Sequence, residues 1–545
     1  MVGGVAGGAS CAARLRRLDE DAEIVIFEKG PHVSFANCGL PYHIGDVIRE
    51  EQALLVASAE LFRARFGMVV RTGHEVTAID RHRHVITVSD LVSGGTTEEH
   101  YDALVLSPGA VPIRPAIPGI DLPGIFSVRT IPDARHVRAW IAQHQARSAL
   151  IIGGGFIGLE MAENLVRRGL AVTIVEKAAQ VMPPLDPEVA APVRGRLEEA
   201  GVRVLVGDGV VGIHAVDGAL VATTESRTVV RADLVILAIG IRPEVSLARV
   251  AGLELGLSGG IAVDHAMRTS DPRIWAVGDA VESTDVITGR PMVLALAGPA
   301  NRQGRIAAGS IAGRQDTFRG VQATSVCGVF GLTIAATGAS EKSLQRAGFT
   351  DFEKVYLHPG HHAGYYPGAK PMHLKVLYRP SDGRILGAQA VGEEGIERRI
   401  DVIAMAIQLH GTMQDLGEAE LCYAPQYGSA KDAVNIAGFI AENQRSGDAP
   451  LAHGITGDPE GHTLLDVRDP HETAKGIIPG SLVIPLDQLR ARWGELPTDR
   501  PVQVLCGGGQ RAHNAVRFLR QRGLDARNLS GGWSTWQQRG LAERR

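Results

Sequence analysis

The sequence predicts an α/β protein of several domains, and three observations carry that prediction. Two glycine-rich turns each open a helix and are followed, about 20 residues on, by a strand ending in an acid. Strand-like runs and then a helix fill residues 315 to 440. A polar, Pro- and Gly-containing stretch then separates off a smaller α/β module that runs to the C-terminus. At roughly 150 residues per domain, 545 residues are three or four domains' worth of chain.

Composition excludes several classes. Hydrophobic residues make up 45% and charged residues 21%, which rules out disorder as an overall description. The formal charge of −4, from 56 basic and 60 acidic residues, exerts no global pull toward nucleic acid or an anionic membrane. No apolar run of about 20 residues predicts a membrane span, and no basic n-region with an apolar run predicts a signal peptide. The five cysteines, Cys11, Cys38, Cys327, Cys422 and Cys506, are scattered and contain no CxxC pair. They argue against a disulfide framework and a zinc site, so no metal is expected and a reducing cytoplasm fits. The 66 glycines, about 12% of the chain against an ordinary ~7%, suit several tight phosphate-binding turns.

The first unit begins at once with Val2-Gly3-Gly4-Val5-Ala6-Gly7-Gly8, a helix through Leu18 and the strand Glu23–Glu28. The strand that should precede these glycines is almost absent, the pattern of a mis-assigned start codon or of a trimmed chain. The second unit is complete. Ser148–Ile152 is an apolar strand, Gly153-Gly154-Gly155-Phe156-Ile157-Gly158 the turn, Leu159–Arg168 the helix and Val172–Glu176 the next strand. Gly153, Gly155 and Gly158 let the backbone approach a diphosphate, and Glu176 should accept from an adenosine 2′-hydroxyl and repel a 2′-phosphate, which favours NADH. Lys177 follows at once and leaves NADPH open. Asp271–Ala280 reads as a strand ending in Gly278-Asp279. Beyond it, Thr324–Phe330, Met372–Tyr378 and Ile385–Val391 read as strands and Glu397–Leu409 as a helix, with Gln444–Pro450 as the linker.

Cys38 lies in Ser34-Phe35-Ala36-Asn37-Cys38-Gly39-Leu40-Pro41-Tyr42 with no second cysteine nearby in sequence. A helix starting there would offer free N–H groups to a thiolate. A single cysteine must form a mixed disulfide with a small thiol, or a sulfenate. In the C-terminal module, Cys506 follows the apolar strand Val502–Leu505 and opens a Cys-x-x-Gly-x-Arg loop. Such a loop makes a cradle of backbone N–H groups, to which Arg511 adds charge, lowering the thiol pKa and holding a persulfide.

These motifs, with Ala276–Ala280 and Leu421-Cys422-Tyr423-Ala424-Pro425, resemble the pyridine nucleotide–disulfide reductases over the first 440 or so residues, specifically the coenzyme A-disulfide reductases. Leu464-Leu465-Asp466-Val467-Arg468 and Cys506-Gly507-Gly508-Gly509-Gln510-Arg511 resemble a rhodanese domain over the last 85 or so. The fusion is similar to coenzyme A-disulfide reductases with a C-terminal rhodanese domain, some of which act as NADH-dependent persulfide reductases. The resemblance implies two Rossmann-like dinucleotide-binding domains, an α+β dimerisation domain and a rhodanese α/β domain. The boundaries expected are 1–112 with 240–315 for FAD, 113–239 for NAD(P)H, 316–442 for dimerisation, 443–461 for the linker and 462–545 for the rhodanese domain.

The resemblance also assigns roles. Gly3, Gly8, Glu28, Gly278 and Asp279 would hold FAD; the short first strand would weaken that hold. Glu160 would lie near the nicotinamide or else cap its helix. Coenzyme A, as substrate or mixed-disulfide partner of Cys38, would meet Ser10, Arg14, Arg17, Ser34, Asn37 and Lys431; Arg14 and Arg17 share a helix face that could equally be a solvated one. Tyr365 and Tyr423 would reach the cysteine of the other subunit of a homodimer as general acids, or else pack the interface. The basic residue common at the second rhodanese loop position is Gly507 here, which favours a persulfide carrier over thiosulfate chemistry. Cys11, Cys327 and Cys422 are expected to be packing residues. The reading is an FAD-dependent NAD(P)H reductase of coenzyme A disulfide, coenzyme A persulfide or polysulfide. The alternatives are an NADH oxidase or peroxidase using a Cys38 sulfenate, disfavoured because no histidine sits inside the first turn, and a redox sensor that relays sulfur without turnover.

Overall fold

The computed structural model of the chain describes residues 1–454 and 461–543. It divides into two compact units, Met1–Lys177 with Gly201–Val321, and Ala178–Ala200 with Gln322–Arg545.

The first unit is built on two parallel sheets. In one, Val69–Thr72 pairs with Val25–Glu28, and Leu104–Leu106 pairs with Ile274–Ala276. Between these pairs stands Val2, bridging Phe27 on one side and Leu106 on the other. Met1 and Gly3 extend the ladder: Phe27 N–H donates to Met1 O at 2.9 Å and Gly3 N–H to Phe27 O at 2.8 Å, so three residues hold the place of a central strand. Ile26, Phe27, Leu104, Leu106, Ile274 and Ala276 bury the sheet. The second sheet has five parallel strands in the order Arg203–Val206, Ala171–Glu176, Ser148–Ile152, Leu234–Leu237, Ile125–Phe126. Leu150, Ile152, Val175, Val235 and Leu237 form its core. Purely apolar runs such as Ser148–Ile152 are what a parallel strand covered on both faces requires.

The second unit contains an antiparallel sheet in the order Ser325–Val329, Leu332–Gly338, Ile385–Gly392, Met372–Tyr378, Glu353–Leu357. It also contains a five-stranded parallel sheet, Leu451–Ala452, Ala526–Leu529, Val502–Leu505, Thr463–Asp466, Leu482–Val483. The stretch expected as a linker is shorter than its sequence suggests. The helix Ala433–Arg445 runs into it, and Leu451–Ala452 already pairs with Ala526–Leu529. Residues 455–460 of that expected linker lie outside the described residues.

The helix Pro187–Glu199, expected in the nicotinamide domain, clusters instead with the second unit. A buried ion cluster explains this. Lys375 Nζ sits 2.7 Å from Asp186 Oδ2, 2.7 Å from Glu188 Oε1 and in contact with Glu341. Gln389 closes the site, accepting from Asp186 N at 2.8 Å. The three carboxylates are close enough together to hold a metal ion, but the Lys375 ammonium stands among them. Burial of so many charges is tolerated because they are paired and hydrogen-bonded. The outer strand Glu353–Leu357 meets the C-terminal module, where Tyr356 N–H donates to Ser530 Oγ at 3.3 Å. Among the described residues, no helix is long and apolar enough to cross a membrane.

Candidate active sites

The two glycine turns repeat one construction. Gly3 takes φ +89°, and a Cβ there would stand 2.1 Å from Ser107 O; Gly153 takes φ +108°, and a Cβ would stand 2.3 Å from Ala238 O. Gly8 packs on Gly3 O as Gly158 packs on Gly153 O, with Cβ clearances of 2.0 and 2.1 Å. Each turn is tied to its acid: Gly4 N–H donates to Glu28 Oε2 at 2.9 Å and Gly154 N–H to Glu176 Oε2 at 2.7 Å. Gly155 faces open space, so a diphosphate can approach it. Val5 replaces the corresponding glycine of the first turn at φ −97°, outside the left-handed region that favours glycine. Both turns therefore fit dinucleotides.

Gly278 takes φ +85° and its N–H donates to Gln303 Oε1 at 2.8 Å, which fixes Asp279 beside it. Burial pushes the Asp279 carboxyl up, opposed by the charge of Arg129. Arg129 is itself pushed down by burial, with Asp279 and Glu28 among the carboxylates that counter it. Arg129 thus joins Glu28 and Asp279 in one charged group. No sequence motif marks it.

Cys38 is free and exposed, in a 3₁₀ turn Asn37–Gly39 that leads into the helix Leu40–Ile44. The turn does not stabilise the thiolate in the way the sequence suggests. Surrounding protein pushes the Cys38 thiol up, and the charges of Glu160 and Asp279 push it further. Its own N–H, which also donates to Asn37 Oδ1 at 3.0 Å, acts the other way and favours the thiolate, but does not outweigh them. Ser34 adopts φ +47°, an uncommon conformation for a residue with a side chain, and its N–H donates to Gly4 O at 2.8 Å. The cysteine loop is thereby fastened to the first glycine turn. Glu160 stands in the second turn of the helix Phe156–Arg167, past the capping positions. It accepts from Tyr42 Oη at 3.3 Å, and burial pushes its carboxyl up.

The coenzyme A candidates separate. Ser10 bonds Asn301. Arg14 is pushed down by desolvation and by the charges of Arg305, Arg314 and Arg17, so four guanidiniums share one neighbourhood. Arg16 is different: it is buried and donates to the carbonyls of Phe66, Asp19, Glu20 and Ala22. Arg305 was hidden because it arrives on a distant helix, Ala297–Ile311, which packs tightly on the first helix; a Cβ on Gly304 would lie 2.4 Å from Gly7 O. Lys431, Tyr365 and Tyr423 belong to the second unit. Lys431 is exposed. Tyr365 Oη and Tyr423 Oη hydrogen-bond at 2.6 Å, on side chains that are largely exposed. Cys11 and Cys327 are buried as expected, whereas Cys422 is exposed and is not a packing residue.

Cys506 is buried at the end of Val502–Leu505, and Gly509 N–H donates to its Sγ at 3.1 Å. Arg511 does not deliver a free charge to it. Its Nη1 lies 2.8 Å from Asp469 Oδ2 and 2.6 Å from Glu472 Oε2, and its Nη2 2.7 Å from Glu472 Oε1. That fork holds the Glu472 carboxyl down at about 2. The backbone cradle is present, and the cation is shared: two carboxylates hold it while its charge also acts on Cys506.

Comparison with known proteins agrees with this geometry. Residues 1–304 match the family described as pyridine nucleotide-disulphide oxidoreductase, residues 324–433 the dimerisation domain of that family, and residues 450–539 a rhodanese-like domain. The chain is 35% identical over 446 residues to a coenzyme A disulfide reductase of Staphylococcus haemolyticus, covering 81% of this chain and 99% of that one. The structure of reduced Bacillus anthracis CoADR-RHD superimposes with a TM-score of 0.96 at 45% identity, covering 98% of this chain and 97% of that one. A NAD-dependent persulfide reductase from A. fulgidus superimposes with a TM-score of 0.92 at 35% identity, covering 98% and 99%.

Proposed function

The chain belongs to the pyridine nucleotide-disulphide oxidoreductase family, and on that premise we propose that it cuts the S–S bond of coenzyme A disulfide or coenzyme A persulfide through Cys38. It is an NAD(P)H-dependent flavoprotein disulfide or persulfide reductase of the coenzyme A-disulfide reductase type, with a rhodanese-like domain attached. The observation that carries the finer reading is Cys38 itself: it is exposed and free, while Cys11, the other cysteine of its unit, is buried. A lone reactive cysteine exchanges with an external sulfur compound rather than with a protein partner.

Bound FAD would supply the two-electron relay between nicotinamide and sulfur. The protein's own groups do the rest. Glu28 with Asp279 and Arg129, and Glu176 at the second turn, hold the two nucleotides. The guanidiniums of Arg14, Arg17, Arg305 and Arg314 take the phosphates of coenzyme A. Cys38 Sγ attacks one sulfur of the substrate S–S bond, and the other sulfur leaves and takes a proton. In a homodimer, built through the dimerisation domain, the Tyr365–Tyr423 pair of one copy donates that proton at the Cys38 of the other. Each NAD(P)H supplies two electrons and one S–S bond is cut: a disulfide yields two thiols, a persulfide one thiol and one sulfide. Cys506 carries sulfane sulfur to that chemistry.

The test is anaerobic NADH oxidation with coenzyme A persulfide by wild type, Cys38→Ser and Cys506→Ser. Wild type turns over repeatedly, Cys38→Ser does not, and any loss in Cys506→Ser measures the carrier contribution. Undiminished turnover in Cys38→Ser, or turnover by wild type only after oxygen or peroxide is added, overturns the reading. A single reduction that then stops identifies a sensor.

A further inference from the structure

The Cys506 loop does not hold its shape alone. Cys506 O accepts from Trp533 N–H at 2.8 Å and Gly507 O from Ser534 N–H at 3.0 Å, so the loop hangs from the first turn of the helix Gly532–Glu543. The same turn carries Thr535, which is buried, and Thr535 Oγ1 lies 2.7 Å from His358 Nε2. His358 is not part of the rhodanese-like domain. It follows the strand Glu353–Leu357 of the antiparallel sheet, 177 residues earlier in the chain. Its own ring is steadied from behind, Nδ1 to Nδ1 at 2.6 Å, by His373 on the neighbouring strand Met372–Tyr378. A Cβ on Gly508 would touch His358 Cβ at 3.7 Å, so the sulfur loop itself abuts this histidine.

We propose that His358, on the dimerisation domain, is the positioning residue of the Cys506 loop: through Thr535 it sets the helix turn that suspends the loop and so keeps Gly509 N–H on the sulfur. The inference rests on the reading of Cys506 as a sulfur carrier. Burial, with His373 beside it, holds the His358 imidazole neutral, down at about 3. The neutral ring has one N–H and one lone pair, which is what bridging a hydroxyl and a second imidazole requires. Releasing Thr535 frees the helix turn, so the loop that hangs from it loses its hold and Gly509 N–H leaves the sulfur. A general loosening of the domain would speed amide exchange throughout it, whereas loss of this one tie speeds it in the Cys506 loop. The contrast between the loop and the strand Val502–Leu505 is therefore the diagnostic quantity.

The experiment is amide hydrogen exchange of the Cys506 loop, read by peptide mass spectrometry on the full-length flavin-loaded protein with the strand Val502–Leu505 as internal reference. The variants are His358→Ala, His358→Gln and Thr535→Val. His358→Ala and Thr535→Val, which break the same bond from opposite sides, should each speed exchange in the loop about threefold and leave the strand unchanged. His358→Gln, whose amide can still bond the hydroxyl, should restore the wild-type rate. Wild-type loop exchange in both breaking variants overturns the proposal, as does a His358→Gln rate raised as far as that of His358→Ala. If His358→Ala does not fold, Thr535→Val decides. Thiocyanate released by cyanide after loading with coenzyme A persulfide tests the carrier reading separately. Its absence from wild type removes that reading and leaves the exchange result standing.

Discussion

Lys177 Nζ stands 3.1 Å from Glu225 Oε1, directly after the carboxylate that ties the second glycine turn. The contact is set by backbone. Glu225 N–H donates to Gly209 O at 2.8 Å and Asp208 N–H to Glu176 O at 3.2 Å, so the three segments lie side by side. Where a 2′-phosphate would need a cation, the one on offer is already occupied by an acid, with Glu176 and Asp208 adding negative charge nearby.

Glu225→Gln should therefore raise kcat/KM for NADPH about fivefold and leave that for NADH within about twofold, because an exposed pair is worth ~1 kcal/mol at most. Steady-state rates with the two nucleotides check this. Equal changes with both would show that Glu225 does not discriminate between them.

Lys375→Met should lower the apparent unfolding midpoint by roughly 5 to 10 °C at pH 7, since breaking a buried pair leaves charges uncompensated. The pH dependence has a definite sign. Glu341 is held down at about 2, mainly by the charge of Lys375 acting against burial. Its folded value lies below its unfolded one, so its contribution is complete above about pH 4.5 and disappears as pH falls toward 2. Lys375 is pushed up by Tyr356 and three carboxylates against burial, so its contribution is complete below its unfolded value of about 10.4. The gap between wild type and variant should stay level from about pH 5 to 10 and narrow below about pH 4.5. Scanning calorimetry at fixed scan rate measures it; a gap that widens in acid would contradict the account.

Glu160→Gln removes one of the charges that push the Cys38 thiol up. The midpoint of Cys38 alkylation should move down and the rate at pH 7 rise by about twofold or more. A midpoint that stays put or rises would mean that Glu160 does not act on this thiol.

Local patterns were legible in the sequence. The glycine turns, their acids Glu28 and Glu176, and the strands Ser148–Ile152, Met372–Tyr378 and Val502–Leu505 are each specified within a short window. Cys38 stood out because its neighbours form a motif. What escaped depends on residues far apart in the chain. The helix Pro187–Glu199 is claimed by Lys375, 189 residues from Asp186. Arg129, Arg305 and Arg314 look like ordinary surface cations until the fold gathers them near Asp279 and Arg14. The charges that oppose a Cys38 thiolate were equally hidden: Glu160 and Asp279 lie far along the chain, and with burial they outweigh the one N–H group of the turn that favours it. The carboxylates that share Arg511 were out of view as well: Glu472 and Asp469 lie 39 and 42 residues away.

The contact between Tyr356 N–H and Ser530 Oγ has a consequence for solubility. Glu353–Leu357 is the last strand of its sheet, and an uncovered last strand is a template on which another chain can add. The C-terminal module occupies that margin, and Tyr356 is buried beside it. A shortened protein ending after the helix Ala433–Arg445 would keep every residue of the Cys38 site. It would also present an unguarded strand and a newly wetted aromatic ring, both of which favour self-association. The module is thus a cover for the edge of the sheet.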